Sequence, residues 1–209
     1  SDAKTAKITI CGLGFYELFI NGKRITRGLI SPYISNPDDI MFYDLYNIEN
    51  LLQQGENVIG VILGNGMQNS MGGTWDFDKA AWRSAPKLAL CLEIDGKIIL
   101  EADDNFKTYP SPIIFDELRA GEHFDANKII DNWADIGFDD SNWENAFTVE
   151  CPKGITSLND IPPVKQIKKI QCQKIIKFED GYIYDFGVND TGLCELNING
   201  TKGQQIELC

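Results

Sequence analysis

The stretch Gly14-Phe15-Tyr16-Glu17-Leu18-Phe19-Ile20-Asn21-Gly22-Lys23-Arg24-Ile25 decides the fold. Phe15–Ile20 carries aromatic and aliphatic side chains at both parities, the pattern of a strand covered on two faces. Asn21-Gly22 follows at once. Both residue types tolerate the positive φ of a type I′ turn, whose twist matches that of paired strands. The chain therefore returns as a second strand over Lys23–Ile25.

The same grammar extends in both directions. Lys7–Cys11 alternates, and Met41–Tyr46 and Glu56–Leu63 are rich in strand formers. Lys87–Ile94 alternates most cleanly, with Leu88, Leu90, Leu92 and Ile94 on one side, and Asp95-Gly96 turns it into Lys97–Leu100. Asn47 is placed to cap a short helical turn over Ile48–Gln53, ended by Gly55. Residues 64–85 form a long Gly- and Asn-rich loop, and residues 103–150 read as irregular with short strands. Pro162-Pro163 marks a boundary, and strands are expected near Ile167–Phe178, Tyr182–Phe186 and Leu193–Ile198, with Asn199-Gly200 starting a return. No amphipathic helix of three turns is present. The expected fold is an all-β sandwich, a galactose-binding-like jelly roll over residues 1–162. Residues 163–209 would either begin a second sandwich or complete the first.

Composition narrows the partners. The 209-residue chain carries a formal charge of -12, so no basic face is available to displace counterions from a nucleic acid or to meet an anionic membrane. No run of about 18 apolar residues is long enough to span a membrane as a helix. Six cysteines are scattered singly, without metal-type spacing. Cys11 and Cys91 read as small core residues, and unpaired thiols fit a reducing, cytoplasmic compartment. The chain starts almost on a strand and stops within another apparent strand, which suggests a fragment of a longer protein.

Three segments add up to more than a fold class. They are Gly14–Ile25, then Tyr46-Asn47-Ile48-Glu49-Asn50-Leu51-Leu52 with Gly55–Gly66, then Gly137-Phe138-Asp139-Asp140-Ser141-Asn142-Trp143-Glu144-Asn145-Ala146. In this order they resemble the N-terminal β-sandwich region of bacterial α-L-rhamnosidases, glycoside hydrolase family 78. Tyr184-Asp185-Phe186-Gly187-Val188-Asn189-Asp190-Thr191-Gly192 resembles the opening of the next sandwich in the same enzymes. Met67 departs from the pattern, because the family often has Trp after that Gly-x-Gly. The second and third segments also occur in sugar-binding jelly rolls of β-galactosidase-like enzymes, which stay open as an alternative parent. The resemblance implies a parent enzyme that removes terminal L-rhamnose with an (α/α)6 barrel downstream. It implies that this region carries no catalytic residue of its own, and that it either binds a rhamnose-containing glycan or only supports that barrel.

The residues themselves point to two loops. Sugars are held by aromatic faces against C–H surfaces, with carboxylates, amides and guanidinium groups fixing hydroxyls. Trp75, Asp76, Asp78, Trp82 and Arg83 supply that chemistry within one loop and are the expected carbohydrate contacts. Asp38 and Asp39, in the loop from Ser31, supply hard oxygen donors and are the expected Ca²⁺ ligands, with Asp76 and Asp78 as the alternative pair. The resemblance points the same way, since some relatives of this module bind rhamnose with calcium assistance. Asp139-Asp140 is the tempting acid pair for hydrolysis, but it reads better as a turn cap before a packed Trp143. His123, the single histidine, lies in no catalytic or metal motif.

Overall fold

The computed structural model describes residues 3–71, 76 and 79–208. They fall into two units, Ser1–Gln166 and Ile167–Cys209. In the first, β1 (Ala6–Leu13), β4 (Ile40–Asn47), β6 (Lys87–Ile94), β7 (Lys97–Glu101) and β12 (Ile155–Leu158) form a five-stranded sheet in the order β12-β4-β1-β6-β7. A three-stranded sheet runs β3-β2-β5, from β2 (Phe15–Ile20), β3 (Lys23–Arg24) and β5 (Ile59–Gly64). Three short pairs complete the element order. β8 (Lys107–Thr108) pairs β11 (Glu144–Asn145), β9 (Ile113–Glu117) pairs β10 (Gly121–Phe124), and a short 3-10 helix spans Ala126–Lys128. The second unit contains the hairpin β13 (Lys174–Phe178) and β14 (Gly181–Asp185).

The core lies between the two larger sheets, because alternation sends one parity of each strand inward. Ala6, Ile8 and Ile10 of β1, Tyr46 of β4, and Leu90 and Leu92 of β6 meet Tyr16, Leu18 and Ile20 of β2. Leu88 and Ile94 pack at the margin of this cluster, as their shared parity predicts. These ladders make the all-β sandwich expected from the sequence. β12 lies parallel to β4, so the larger sheet is mixed.

Asn21 and Gly22 hold φ of 49° and 77°, the type I′ conformation expected of them. Asn21 also staples its surroundings, since its Nδ2 donates to the carbonyls of Leu51 and of the Asn57 side chain and its Oδ1 accepts from the Val58 amide. A Cβ on Gly22 would meet an oxygen of Asp135, so the position needs glycine for conformation and for space. Gly22→Ala is therefore expected to destabilise the protein by about 1–3 kcal/mol, read as a lower urea midpoint.

Four expectations change. Phe15–Ile20 is not buried on two faces: Tyr16, Leu18 and Ile20 are buried, while Phe15, Glu17 and Phe19 are half-covered. Cys11 and Cys91 lie at the opposite parity from Ile10 and Leu90, so they sit half-buried on the outer face of the large sheet rather than in the core. Burial still pushes the Cys11 thiol up to about 11. The helical turn after Asn47 is one turn, closed by the Leu51 amide on the Ile48 carbonyl, because so short a segment cannot offset helix nucleation. Leu193–Ile198 pairs with no strand and is not one, since a strand exists only as part of a ladder.

Candidate functional site

The aromatic loop is anchored from beneath. Glu117, at the end of β9, is buried, and its Oε1 accepts from the Ser70 hydroxyl (2.6 Å) and the Met71 amide (3.3 Å). Its Oε2 accepts from the amides of Arg119 and Ala120, both at 2.7 Å. The Ser70 hydroxyl, together with the amides of Arg119, Ala120 and Met71, holds this carboxyl down at about 2, well under its ordinary 4.5. Arg83 Nε then donates to the Ser70 carbonyl (3.0 Å), and Gln68 Nε2 to the Trp82 carbonyl (2.8 Å). The two ends of the loop are thus tied together over one carboxylate.

Because the folded value lies below the unfolded one, the stabilisation from Glu117 is fully present above about pH 4.5. It disappears as the pH falls from there through 2. Glu117→Gln is expected to be less stable than the parent at pH 7, with the gap narrowing steadily between pH 4.5 and 2. Urea midpoints across that range check it, and a gap independent of pH would contradict it.

Trp82 is half-buried and Arg83 exposed, side by side on this frame. Asp76 is exposed and paired with Lys79 at 3.1 Å. Trp75 and Asp78 lie outside the described residues. The structure therefore ties Trp82 and Arg83 to one anchor, while Asp76 is held by Lys79.

Asp38 and Asp39 are exposed and belong to an Asn36-centred turn. Asn36 Oδ1 accepts from the Asp38 amide, and Asn36 Nδ2 donates to Asp39 Oδ2 at 2.7 Å. Ca²⁺ takes six to eight oxygens, and among the described residues no three His, Cys, Asp or Glu side chains stand together as a metal cluster. These two carboxylates alone are short of the donor set that ion requires.

A cleft of about 190 Å³ opens in the same unit, between the segment Arg27–Tyr33 and the segment Asn159–Val164. Its floor is Asp44, which takes an inward position of β4 among apolar neighbours and is 4% exposed. Tyr16 donates to Asp44 Oδ2 (2.5 Å), while Arg27 Nη2 (3.0 Å) and Asn159 Nδ2 (3.1 Å) converge on Oδ1. The Tyr16 and Tyr46 hydroxyls lie 2.9 Å apart, and the Arg27 guanidinium rests over the Tyr46 ring. Burial, then the bond to Asp44, raises the Tyr16 hydroxyl far above the tyrosine range. Sequence reading missed this group. Its one legible signal is a charged residue at the inward parity of an otherwise apolar strand.

Asp139 and Asp140 form the expected turn: Asp139 Oδ1 accepts from the Ser141 amide, and the Asp140 carbonyl accepts from the Trp143 amide. His123 is exposed on β10, 5.0 Å from the Phe115 ring. Trp143 stacks with Tyr109 and with Trp133 and meets Phe138 edge-on. Phe124 is exposed.

Residues 1–168 match the family described as the α-L-rhamnosidase N-terminal domain. An α-L-rhamnosidase of Formosa agariphila is 33% identical over 99% of this chain, and the match occupies 23% of that relative. The solved α-L-rhamnosidase of Dictyoglumus thermophilum is 35% identical and superposes with a TM-score of 0.80, covering 90% of this chain and 21% of its own. The crystal structure of the Streptomyces avermitilis α-L-rhamnosidase complexed with L-rhamnose shares the fold, at 24% identity and a TM-score of 0.79, covering 88% of this chain and 18% of its own. The chain thus spans less than a quarter of the length of each of these relatives.

Proposed function

Because the chain belongs to the family of α-L-rhamnosidase N-terminal domains, we propose that it is a non-catalytic, carbohydrate-binding region of an enzyme that hydrolyses terminal L-rhamnose from glycosides. The observation that carries the reading is the proportion of the match. Nearly all of this chain aligns with less than a quarter of an α-L-rhamnosidase, so most of that relative lies beyond the aligned part. The catalytic domain of the same polypeptide is then its first partner. A rhamnose-containing glycan is the second, and Trp82 with Arg83 on the Glu117 frame offers the ring face and the donor that a sugar needs. Trp75, Asp76 and Asp78 extend that loop. The unpaired state of Cys11, Cys91, Cys151, Cys172 and Cys194 supports a reducing, cytoplasmic compartment.

One observation favours a second reading, structural support alone. The edge strand β7 exposes Ile98 and Ile99, each more than half accessible, and apolar edges of this kind are commonly covered by a neighbour.

Calorimetric titration of this chain with L-rhamnose separates the two. Binding at millimolar sugar is expected, weakened about tenfold in Trp82→Ala, a loss of ~1.4 kcal/mol. Adding Ca²⁺ tests whether Asp38 and Asp39 contribute with further ligands. No heat with or without Ca²⁺ leaves only the support role. Turnover of an aryl rhamnoside by this chain alone would overturn the non-catalytic assignment.

A further inference from the structure

We propose that Asn199-Gly200, in the second unit, is a site of spontaneous covalent modification at which Asn199 is converted to aspartate and isoaspartate. The chain holds two other Asn-Gly pairs, Asn21-Gly22 and Asn65-Gly66, and the structure treats the three differently.

The reaction needs only the residue pair and water. The Gly200 amide nitrogen attacks Asn199 Cγ and gives its proton to solvent. The side-chain nitrogen leaves as ammonia, and a five-membered succinimide remains. Water then opens one of the ring's two C–N bonds. Breaking the bond to Cγ gives aspartate. Breaking the bond to the main-chain carbonyl carbon gives isoaspartate, which lengthens the main chain by one methylene. Nothing is oxidised or reduced. Glycine after the asparagine favours ring closure, because no Cβ crowds the attacking nitrogen and the backbone there rotates freely. The nitrogen and Cγ must meet in one geometry, so a pair held in another does not react until local opening releases it.

Two of the pairs are held. Asn21 Nδ2 donates to the Leu51 carbonyl (3.1 Å) and to Asn57 Oδ1 (3.0 Å), and Asn21 Oδ1 accepts from the Val58 amide (2.8 Å). Asn65 Nδ2 donates to the carbonyl and the carboxylate of Asp116, its Oδ1 accepts from Asn69 Nδ2 (2.9 Å), and its main-chain amide donates to Asp116 Oδ2 (2.7 Å). Gly66, the nucleophile of that pair, is buried against Phe15. Either asparagine would have to give up its side-chain bonds within the first unit before its ring could close. Asn199 and Gly200 are both exposed and lie outside any strand. Among the described residues, neither the Asn199 side chain nor the Gly200 amide is hydrogen-bonded. The turn that follows is tied only through Thr201 and Gln204, whose bonds do not involve the pair. Each conversion at Asn199 adds one negative charge to a chain that already carries -12.

The test is incubation of this chain in mildly alkaline heavy-oxygen water, followed by peptide mapping with mass spectrometry. The Asn199 peptide is expected to take up one heavy oxygen atom and to become a substrate for an isoaspartyl-specific carboxyl methyltransferase. It should react at least about tenfold faster than the Asn21 and Asn65 peptides. In urea, where the hydrogen bonds of the first unit are lost, the three rates should converge to within about threefold. Gly200→Ala should slow the loss of Asn199 by about tenfold and leave thermal unfolding unchanged, since the new methyl would press only on the end of the Gln204 side chain. No reaction at Asn199, or equal rates at the three pairs in the folded chain, would overturn the inference. A difference that persists in urea would also overturn it, because the cause would then be the flanking sequence and not the structure. An unchanged rate in Gly200→Ala would rule out ring closure through that nitrogen.

Discussion

Asp44→Ala is expected to destabilise the first unit by about 2–3 kcal/mol, measured from urea unfolding at pH 7. The carboxylate is almost fully buried and joins Tyr16, Arg27 and Asn159, which come from β2, the loop after β3 and the segment after β12. Removing one partner of a buried charged pair typically costs 3–5 kcal/mol. Two features bring the value down here. The Arg27 side chain is half exposed and recovers water, and the Tyr16 hydroxyl keeps Tyr46 at 2.9 Å. Tyr16→Phe should cost less, about 1 kcal/mol, because Asp44 keeps its other two donors. The two changes should not add, since they share one hydrogen bond. There is also an alkaline signature. The folded Tyr16 hydroxyl is raised above its ordinary 10.0, so its contribution is fully present below about pH 10 and fades as the pH rises beyond it. Tyr16→Phe should flatten that limb. An Asp44→Ala protein within about 0.5 kcal/mol of the parent would show that the group contributes little to stability.

That network also marks where sequence reading ran out. Lys87–Ile94 and the Asn21-Gly22 turn were legible because their causes are local: alternation in one strand, and positive φ at two residues. The two-sided burial expected of Phe15–Ile20 was half right for a physical reason. Its inner face is the core, but the partial cover of its outer face at Phe19 comes from Trp133, far along the chain, and nothing local encodes that approach. Leu193–Ile198 has the composition of a strand without a partner, and composition does not supply the partner.

The site shows the same divide more sharply. A loop rich in Trp, Asp and Arg announces itself, so Trp82 and Arg83 were found. What holds them was not, because Glu117 looks like any acid at a strand end until Ser70 and Met71 are seen on it. Asn159 lies 115 residues from Asp44, and its unpaired oxygen is a property of geometry alone. Asp38 and Asp39 were legible as oxygen donors, whereas how many further ligands stand beside them is a question of packing.

Trp133→Ala should be the second large loss, about 3 kcal/mol, the lower end of the range for truncating a packed Trp because this ring is half-buried. The ring meets Phe19 edge-on at 5.2 Å and stacks on Trp143 at 6.5 Å, joining the small sheet to the irregular region that follows β10. Its seat is Gly60, opposite Phe19 in the β2–β5 ladder. A Cβ there would lie 2.7 Å from the Trp133 ring and 2.9 Å from the Ala134 methyl. Gly60→Ala should therefore cost about 1–3 kcal/mol by overpacking, although Ala suits a strand better than Gly. The informative measurement is the double variant. With Trp133 already truncated, the new methyl occupies space that the ring has left, and only the Ala134 contact resists it. Gly60→Ala should then be close to neutral, and the pair should cost clearly less than the sum of the single changes. Strict additivity would mean that the penalty at Gly60 comes from the backbone or from Ala134. In that case Trp133 would be resting on this sheet without depending on the missing side chain.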